Sequence, residues 1–256
     1  MRDTLLAGKV AIVTGGGSGM GKCIANLFHA QGASVVVADL DRGTAEAVVE
    51  AWEASERGLA LATDVADEIS VATLIESVAA RFGGIDLLIN CAGVPQPGIP
   101  VEQLDTARWD HILNVNSRSI FLTTKYAVAH LRRRGGGAIV NVASIVGVRA
   151  KPGQSAYCAS KAAAIALSQS LALELAPDRI RVNVINPGAA ETPMLAGFLK
   201  PGSTSLEEGK KAFASNIPLG ELIQPEAIAE AALYLASSLS RQVTGAVLNV
   251  DGGRSV

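Results

Sequence analysis

Val10-Ala11-Ile12-Val13-Thr14 runs straight into Gly15-Gly16-Gly17-Ser18-Gly19-Met20-Gly21, and a segment of helical period follows. An apolar run without polar alternation reads as a strand buried on both faces, and its glycine turn into a helix opens a βα unit. Such a turn brings ligand phosphates close to the backbone N–H groups of a helix N-terminus, where a Cβ would hold them off. The glycine spacing is G-x-x-x-G-x-G through Gly15, Gly19 and Gly21 instead of the commoner G-x-G-x-x-G. Alone this is weak evidence, because glycines also serve ordinary tight turns.

The same alternation repeats outward along the chain. Strands are expected at about 9–14, 34–39, 59–63, 86–90, 137–143, 180–186 and 246–250, and helices at about 20–31, 43–57, 67–82, 105–133, 155–177 and 225–238. The pattern predicts an α/β fold with a doubly wound, seven-stranded parallel sheet and helices on both faces. Two intervals break the alternation: 91–104, and 188–224 with Pro193, Pro201, Gly202 and Pro218. Loops of that length are usually functional, so about 190–218 is a candidate substrate lid. With 256 residues and no linker-like stretch, one domain over 1–256 is expected to hold both the dinucleotide and the catalytic groups.

Composition narrows the functional classes. Hydrophobic residues make up 49% of the chain, but the apolar runs fall far short of the ~20 residues that span a bilayer. Arg2 and Asp3 followed by Leu5 to Ala7 provide no apolar signal region, which predicts a cytoplasmic protein. Cys23, Cys91 and Cys158 are odd in number and lack a C-x-x-C pair, so reduced thiols and no metal site are expected. The net charge is -2 and the only basic cluster, Arg132 to Arg134, reads as a solvated helix end, which predicts no nucleic-acid partner.

Asp39 closes the second strand near the ~20-residue offset at which an acidic side chain meets the adenosine ribose. Its carboxylate would accept from a 2′-hydroxyl and repel a 2′-phosphate, favouring NAD over NADP, although Arg42 lies nearby and Asp39-Leu40-Asp41 could instead cap the next helix. Farther along, Tyr157-Cys158-Ala159-Ser160-Lys161 puts a phenol and an ammonium on one helical face. A free tyrosine, with pKa ≈ 10, is a poor base at neutral pH, and a neighbouring cation lowers that value.

Thr14-Gly15-x-x-x-Gly19-x-Gly21, Asp64-Val65, Asn90-Cys91-Ala92-Gly93, Asn116, Ser144, Tyr157-x-x-x-Lys161, Pro187-Gly188, Thr192 and Val250-Asp251-Gly252-Gly253 follow one another in this order. In that ordered set the chain resembles the short-chain dehydrogenase/reductase family, its compact single-domain subclass, over essentially the whole length. The resemblance implies a Rossmann fold, NAD as cofactor, a homotetramer, and hydride transfer between NAD(H) and a small-molecule secondary alcohol or ketone. It implies that Tyr157 is the acid/base and that Ser144 binds the substrate oxygen. Lys161 would also bind the nicotinamide ribose, and Asn116 would hold a water that relays protons from Lys161. For the cofactor it implies Gly15, Gly17, Ser18, Gly19, Met20 and Gly21 at the phosphates, Asp39 and Leu40 at the ribose, and Asp64 and Val65 at the adenine. Asn90, Ala92 and Gly93 would line the turn after the fourth strand, and Pro187, Gly188 and Thr192 the nicotinamide end. Cys91 departs from the family, which more often has a second Asn there.

Rival readings are a 3-oxoacyl-carrier-protein reductase, usually NADPH-dependent and with a basic docking face; a non-catalytic NAD(H)-binding regulator; and a sugar-nucleotide epimerase, for which the chain is expected to be too short. The segments expected to face the substrate are Val94-Pro95-Gln96, Ile145 to Val148, Gln154 and Ala189-Ala190. Met194, Leu195, Phe198 and Leu199 are expected to close over it, with Lys200, Glu207, Glu208, Lys210 and Lys211 in water. Arg149 and Lys151 are the only nearby cations, also expected in solvent, so a neutral cyclic or aryl alcohol is the expected ligand.

Overall fold

The computed structural model describes residues 4–199 and 205–256; Arg2, Asp3, Lys200, Pro201 and Gly202 lie outside them. Seven parallel strands form one sheet: β1 (Val10–Thr14), β2 (Ser34–Asp39), β3 (Gly58–Ala62), β4 (Leu87–Asn90), β5 (Gly137–Val142), β6 (Ile180–Pro187) and β7 (Val247–Val250), in the order β3-β2-β1-β4-β5-β6-β7. Each strand lies within about a residue of its expected place. Register pairs Ile12 with Val36 and Leu88, so the sequence order reverses on either side of β1.

Among the described residues eight α-helices flank the sheet: α1 (Gly19–Ala30), α2 (Arg42–Glu50), α3 (Glu68–Phe82), α4 (Thr106–Leu113), α5 (Ser119–Arg133), α6 (Ser155–Leu175), α7 (Leu206–Ala214) and α8 (Pro225–Ala236). Successive strand residues point to opposite faces. Ala11, Val13, Val35 and Val37 pack against Ile24 and Phe28 of α1, Val48 of α2 and Ile228 of α8. Val10, Ile12, Val36 and Ala38 pack against Ile75 of α3, Leu131 of α5 and Ala172 of α6. This is why the strands lack polar alternation.

Three expected elements differ. The helix expected over 43–57 stops at Glu50, because Trp52 turns in to stack on His29 at 4.3 Å and to donate to Asn26 Oδ1 at 2.8 Å. The single helix expected over 105–133 is split by a π-helical turn, Asn114–Arg118, which directs Val115 and Asn116 inward. Such turns concentrate at functional sites. The interval 188–224 is not a plain loop: it holds a 3-10 segment, Pro193–Phe198, and α7, which starts on a capping box between Ser205 and Glu208. The S-x-x-E signal for that helix is present in the sequence.

The basic cluster ending α5 is exposed, as expected of a solvated helix end, and each arginine has a neighbouring partner. Arg132 pairs with Asp178 at 2.8 Å, Arg133 Nη2 lies 2.7 Å from His130 Nδ1, and Arg134 reaches Asp86 at 2.9 Å. Asp86, buried just before β4, also accepts from Val10 N–H at 3.0 Å and from Lys9 Nζ at 3.2 Å, and so joins β1, β4 and the end of α5. Desolvation pushes its carboxyl up, but the Arg134, Val10 and Lys9 donors outweigh that and hold it below the usual range. Its stabilisation is therefore present above the unfolded carboxylate pKa of about 3.9 and is lost as pH falls through the lower folded value. Asp86→Ala leaves the buried Val10 N–H unpaired, while Lys9 and Arg134 regain some water. A loss of about 2–3 kcal/mol is expected in urea unfolding at pH 7, with the gap from wild type narrowing below about pH 4.

Candidate active site

The reversal of strand order between β1 and β4 opens a crevice at the carboxyl ends of the strands. Thr14 Oγ1 holds its two sides together, accepting from Cys91 N–H at 3.2 Å and from Ala92 N–H at 3.3 Å. Gly15 has φ +64°, and a Cβ on it would lie 2.7 Å from Ala92 Cα; one on Gly21 would lie 2.0 Å from the Gly15 carbonyl oxygen. These two positions admit only glycine, so α1 starts directly against the turn.

The resulting cleft, about 310 Å³, is lined by Gly15, Ser18, Gly19, Met20, Gly21, Asp39, Leu40, Asp64, Val65, Ala92, Gly93 and Thr192, all of them expected cofactor positions. Ser18 is the N-cap of α1 but its side chain makes no capping bond, which leaves the hydroxyl free for a ligand. Asp39 faces the cleft with Oδ2 accepting from Gly17 N–H at 2.8 Å. Arg42 is turned away, 2.7 Å from Glu46. The close backbone approach, open helix N-terminus and ribose-side carboxylate suit a dinucleotide.

Two expected contacts sit behind the cleft wall. Gly17 is buried and acts through its bond to Asp39. The Asn90 side chain lies in the core, donating to Asn141 Oδ1 at 2.8 Å and accepting from Thr123 Oγ1 at 2.8 Å, so it fixes the β4 turn from beneath. Thr63, Ala66, His111 and Val115 also line the cleft, unforeseen. No local motif marks them; the π-helical turn that brings in Val115 has no sequence signature.

A second cavity adjoins the first, with Met20, Thr192 and Met194 lining both. Ser144, Gln154, Tyr157, Pro187 and Gly188 line it, so the two ends of the predicted catalytic pair of hydroxyls meet in one space. Ser144 follows β5 and caps a 3-10 turn, and Tyr157 lies in the first turn of α6. The N-cap of α6, Gln154, makes no capping bond; Gln96 Oε1 replaces it, accepting from Tyr157 N–H at 2.9 Å. Phe198 meets the Tyr157 ring edge-on at 5.0 Å.

Lys161 lies one turn below, its Nζ 5.8 Å from the Tyr157 ring centroid and donating to the Val142 carbonyl at 3.0 Å. Asn116 Oδ1 accepts from Val94 N–H at 2.8 Å, while Nδ2 donates to Val94 O and to Ser160 Oγ, each at 3.1 Å. A Cβ on Gly93 would sit 3.2 Å from Asn116 Oδ1 and 3.6 Å from Lys161 Nζ, so these two groups flank the same small space.

The charge states differ from the sequence expectation. Burial pushes the Tyr157 phenol well above its ordinary value, with hydrogen bonding from Ser144 opposing it, and burial brings the Lys161 ammonium down to about 8. The expected lowering of Tyr157 by Lys161 does not dominate, because both groups are desolvated and the ammonium's hydrogen bond goes to Val142. Burial likewise pushes the Cys91 thiol up to about 12, making it a weak hydrogen-bonder and no nucleophile.

The expected substrate wall needs several corrections. Ile145, Val146, Gln154, Ala189, Ala190, Met194, Leu195 and Phe198 line the Tyr157 cavity as expected. Val94 instead faces the dinucleotide cleft, and Gln96 is buried with its side chain on Tyr157 N–H and Gly153 O. Gly197 lies so close to Pro95 that a Cβ on it would reach 2.4 Å from the proline ring. Val148 is exposed, and Leu199 packs on Gly209 in a neighbouring cavity. Glu207, Glu208 and Lys211 are exposed, and Lys210 pairs with Glu191 and Glu207. Lys151 lines the cavity against expectation, and so does Arg254, which the sequence reading missed.

Residues 15–255 match a family model described as enoyl-(acyl carrier protein) reductase. The chain is 40% identical to cis-4-hydroxycyclohexanecarboxylate dehydrogenase of Sinomonas cyclohexanicum, over 96% of both chains. It is 39% identical to 4-formylbenzenesulfonate dehydrogenase of Comamonas testosteroni, over 97% of this chain and 98% of that one. Among solved structures, the 3-ketoacyl-(acyl-carrier-protein) reductase of Brucella melitensis complexed with NADH superposes with a TM-score of 0.91 at 38% identity, over 98% of this chain and 100% of the other. With its fold, its glycine cleft and its paired Ser144 and Tyr157, the chain belongs to the short-chain dehydrogenase/reductase family of oxidoreductases.

Proposed function

We propose that the chain is an NAD(H)-dependent dehydrogenase of secondary alcohols, working in reverse as a ketone reductase. The observation that carries this reading is that Ser144 and Tyr157 share one cavity wall with the residues that border the dinucleotide cleft. When bound, the nicotinamide accepts or supplies the hydride. Ser144 hydrogen-bonds the substrate oxygen and stabilises its developing charge. Tyr157 donates its phenol proton to a ketone oxygen in reduction; in alcohol oxidation the phenol first gives that proton up, and the phenolate then takes the hydroxyl proton as hydride leaves the carbon. Lys161 supplies the nearby positive charge, and with Asn116 it borders the Gly93 space through which a proton can pass to and from Tyr157. Asn116 also clamps Val94 to Ser160 and so keeps the β4 loop on α6.

Asp39 supports NAD over NADP, because it faces the cleft and Arg42 is spent on Glu46. The names of the Sinomonas and Comamonas relatives support ring-bearing substrates. Reduction of 3-oxoacyl thioesters is the second reading, favoured by the Brucella structure; Arg132 and Arg134 pair with Asp178 and Asp86, which lowers the net charge that face would offer a carrier protein. A non-catalytic regulator has no use for a buried Tyr/Ser/Lys constellation. We also propose one domain over 1–256, a cytoplasmic setting in keeping with three free cysteines, and a homotetramer. The tetramer is supported by Phe121 of α5 and Leu173 of α6, large apolar side chains left exposed. Among the described residues no helix is long and apolar enough to cross a membrane.

Tyr157→Phe is expected to bind NADH nearly as wild type in fluorescence titration while kcat drops at least ~10²-fold; more than a tenth of wild-type turnover would remove Tyr157 from the chemistry. Asp39→Ala is expected to raise KM for NAD and relax discrimination against NADP, because it removes a ribose acceptor, a repelling charge and the partner of Gly17 N–H. A wild type that prefers NADP would overturn that assignment. Light scattering is expected to report a mass about four times the 26.3 kDa chain, and a stable monomer would refute the tetramer.

A further inference from the structure

Two cations in the wall of the Tyr157 cavity have no part in the reaction described above. Lys151 and Arg254 line it together with Ser144 and Tyr157, and neither has an ion-pair partner among the described residues. The chain is built to place Arg254 there. After β7, Asp251 binds its own turn, Oδ1 accepting from Gly253 N–H at 3.0 Å and Oδ2 from Ser255 N–H at 2.8 Å. Gly252 at φ +63° reverses the backbone so closely against Ile217 that a Cβ would reach 2.4 Å from it. The Arg254 carbonyl is then held by the guanidinium of Arg149.

Arg254 Nη1 is buried and has no hydrogen-bond partner among the described residues. A buried charged donor without an acceptor is costly, and an acceptor entering the cavity removes that cost. The Lys151 ammonium lies over the Phe213 ring at 4.9 Å. Desolvation and the neighbouring Arg254 charge bring its pKa below the usual lysine range. Among the described residues no carboxylate pairs with either cation: Asp251 directs its oxygens to backbone N–H groups, and Glu191 and Glu207 pair with Lys210. Met194, Leu195 and Phe198 make much of the remaining wall apolar, with Gln154 and Thr192 as its other polar side chains, and in such surroundings charge interacts more strongly with charge than in water.

We infer that the substrate carries a carboxylate in addition to its secondary hydroxyl, held by Arg254 and Lys151 while Ser144 and Tyr157 take the hydroxyl. This rests on the alcohol-dehydrogenase reading and replaces the expectation of a neutral ligand. Arg149, the other cation expected near the site, is exposed and does not line this cavity. The planar fork of Arg254 suits a carboxylate, with Lys151 as a point charge beside it.

The test compares kcat/KM of the NAD-loaded enzyme on hydroxycyclohexanecarboxylates, the matching carboxamides and cyclohexanol. A charge-assisted hydrogen bond corresponds to about tenfold or more in binding, so the acid is expected to exceed its amide by at least about tenfold. Arg254→Met and Lys151→Met should each cut that acid-to-amide ratio by about tenfold, mainly through KM of the acid, and Arg254→Lys should restore part of it. Thermal melts verify that each variant is folded. Equal kcat/KM for acid and amide, or a ratio unmoved in both methionine variants, would overturn the inference and leave the dehydrogenase reading intact. If no alcohol including cyclohexanol is oxidised, that reading fails instead. The anchor is then judged by calorimetry of cyclohexanecarboxylate against cyclohexanecarboxamide on the NADH-loaded protein, where equal affinity overturns it.

Discussion

The structure depends on how closely the backbone at the end of β1 approaches the turn after β4. Between Gly15 and Ala92 there is no room for a Cβ, and Thr14 Oγ1 ties the two segments through the N–H groups of Cys91 and Ala92. The consequence reaches Tyr157 by a traceable path. Once Ala92 is fixed, the loop beyond it is held at Val94 by both ends of the Asn116 amide. It is held again at Gln96, whose side chain caps α6 at Tyr157 N–H. One β1–β4 contact thus orients the dinucleotide cleft and, through the loop, the phenol that works beside it.

The same closeness has a cost. Tyr157 and Lys161 are buried, and burial moves both away from their charged forms. A lysine lowered to about 8 is a net debit to folding stability below that pH, since the unfolded chain holds the proton more tightly. Two large apolar clusters on opposite faces of the sheet offset it. Burial also serves the reaction, because charge developing near Lys161 is screened less than in water.

Most of the fold was legible because the information was local. Strand ends, the glycine turn and the Tyr157 to Lys161 spacing each fit inside one window of sequence, and strands buried on both faces announce themselves by their lack of polar alternation. The misplacements have nonlocal causes. Helix α2 ends early because Trp52 has a partner in α1, and the long helix breaks at Asn114 because an inward Asn116 can reach Val94. Gln96 looked like a pocket residue by its distance from β4. It is a cap for a helix that begins far along the chain, which no window containing Gln96 reveals.

Arg254 illustrates the remaining limit and suggests how this scaffold separates chemistry from choice of substrate. Ser144 and Tyr157 stand on β5 and α6, tied into the sheet, whereas Lys151 lies in the loop before α6 and Arg254 in the turn after β7. The Arg149 guanidinium joins those two segments by its hydrogen bond to the Arg254 carbonyl. Loops can change sequence without disturbing the elements they connect. Cations can therefore be gained or lost at 149–151 and 254 while the proposed proton path through Tyr157, Lys161 and Asn116 stays intact. The motif that ends at Gly253 marks the turn, and the side chain just beyond it, Arg254, lines the cavity. Reading the motif without the residue that follows it gives the reaction class and misses the charge of the ligand.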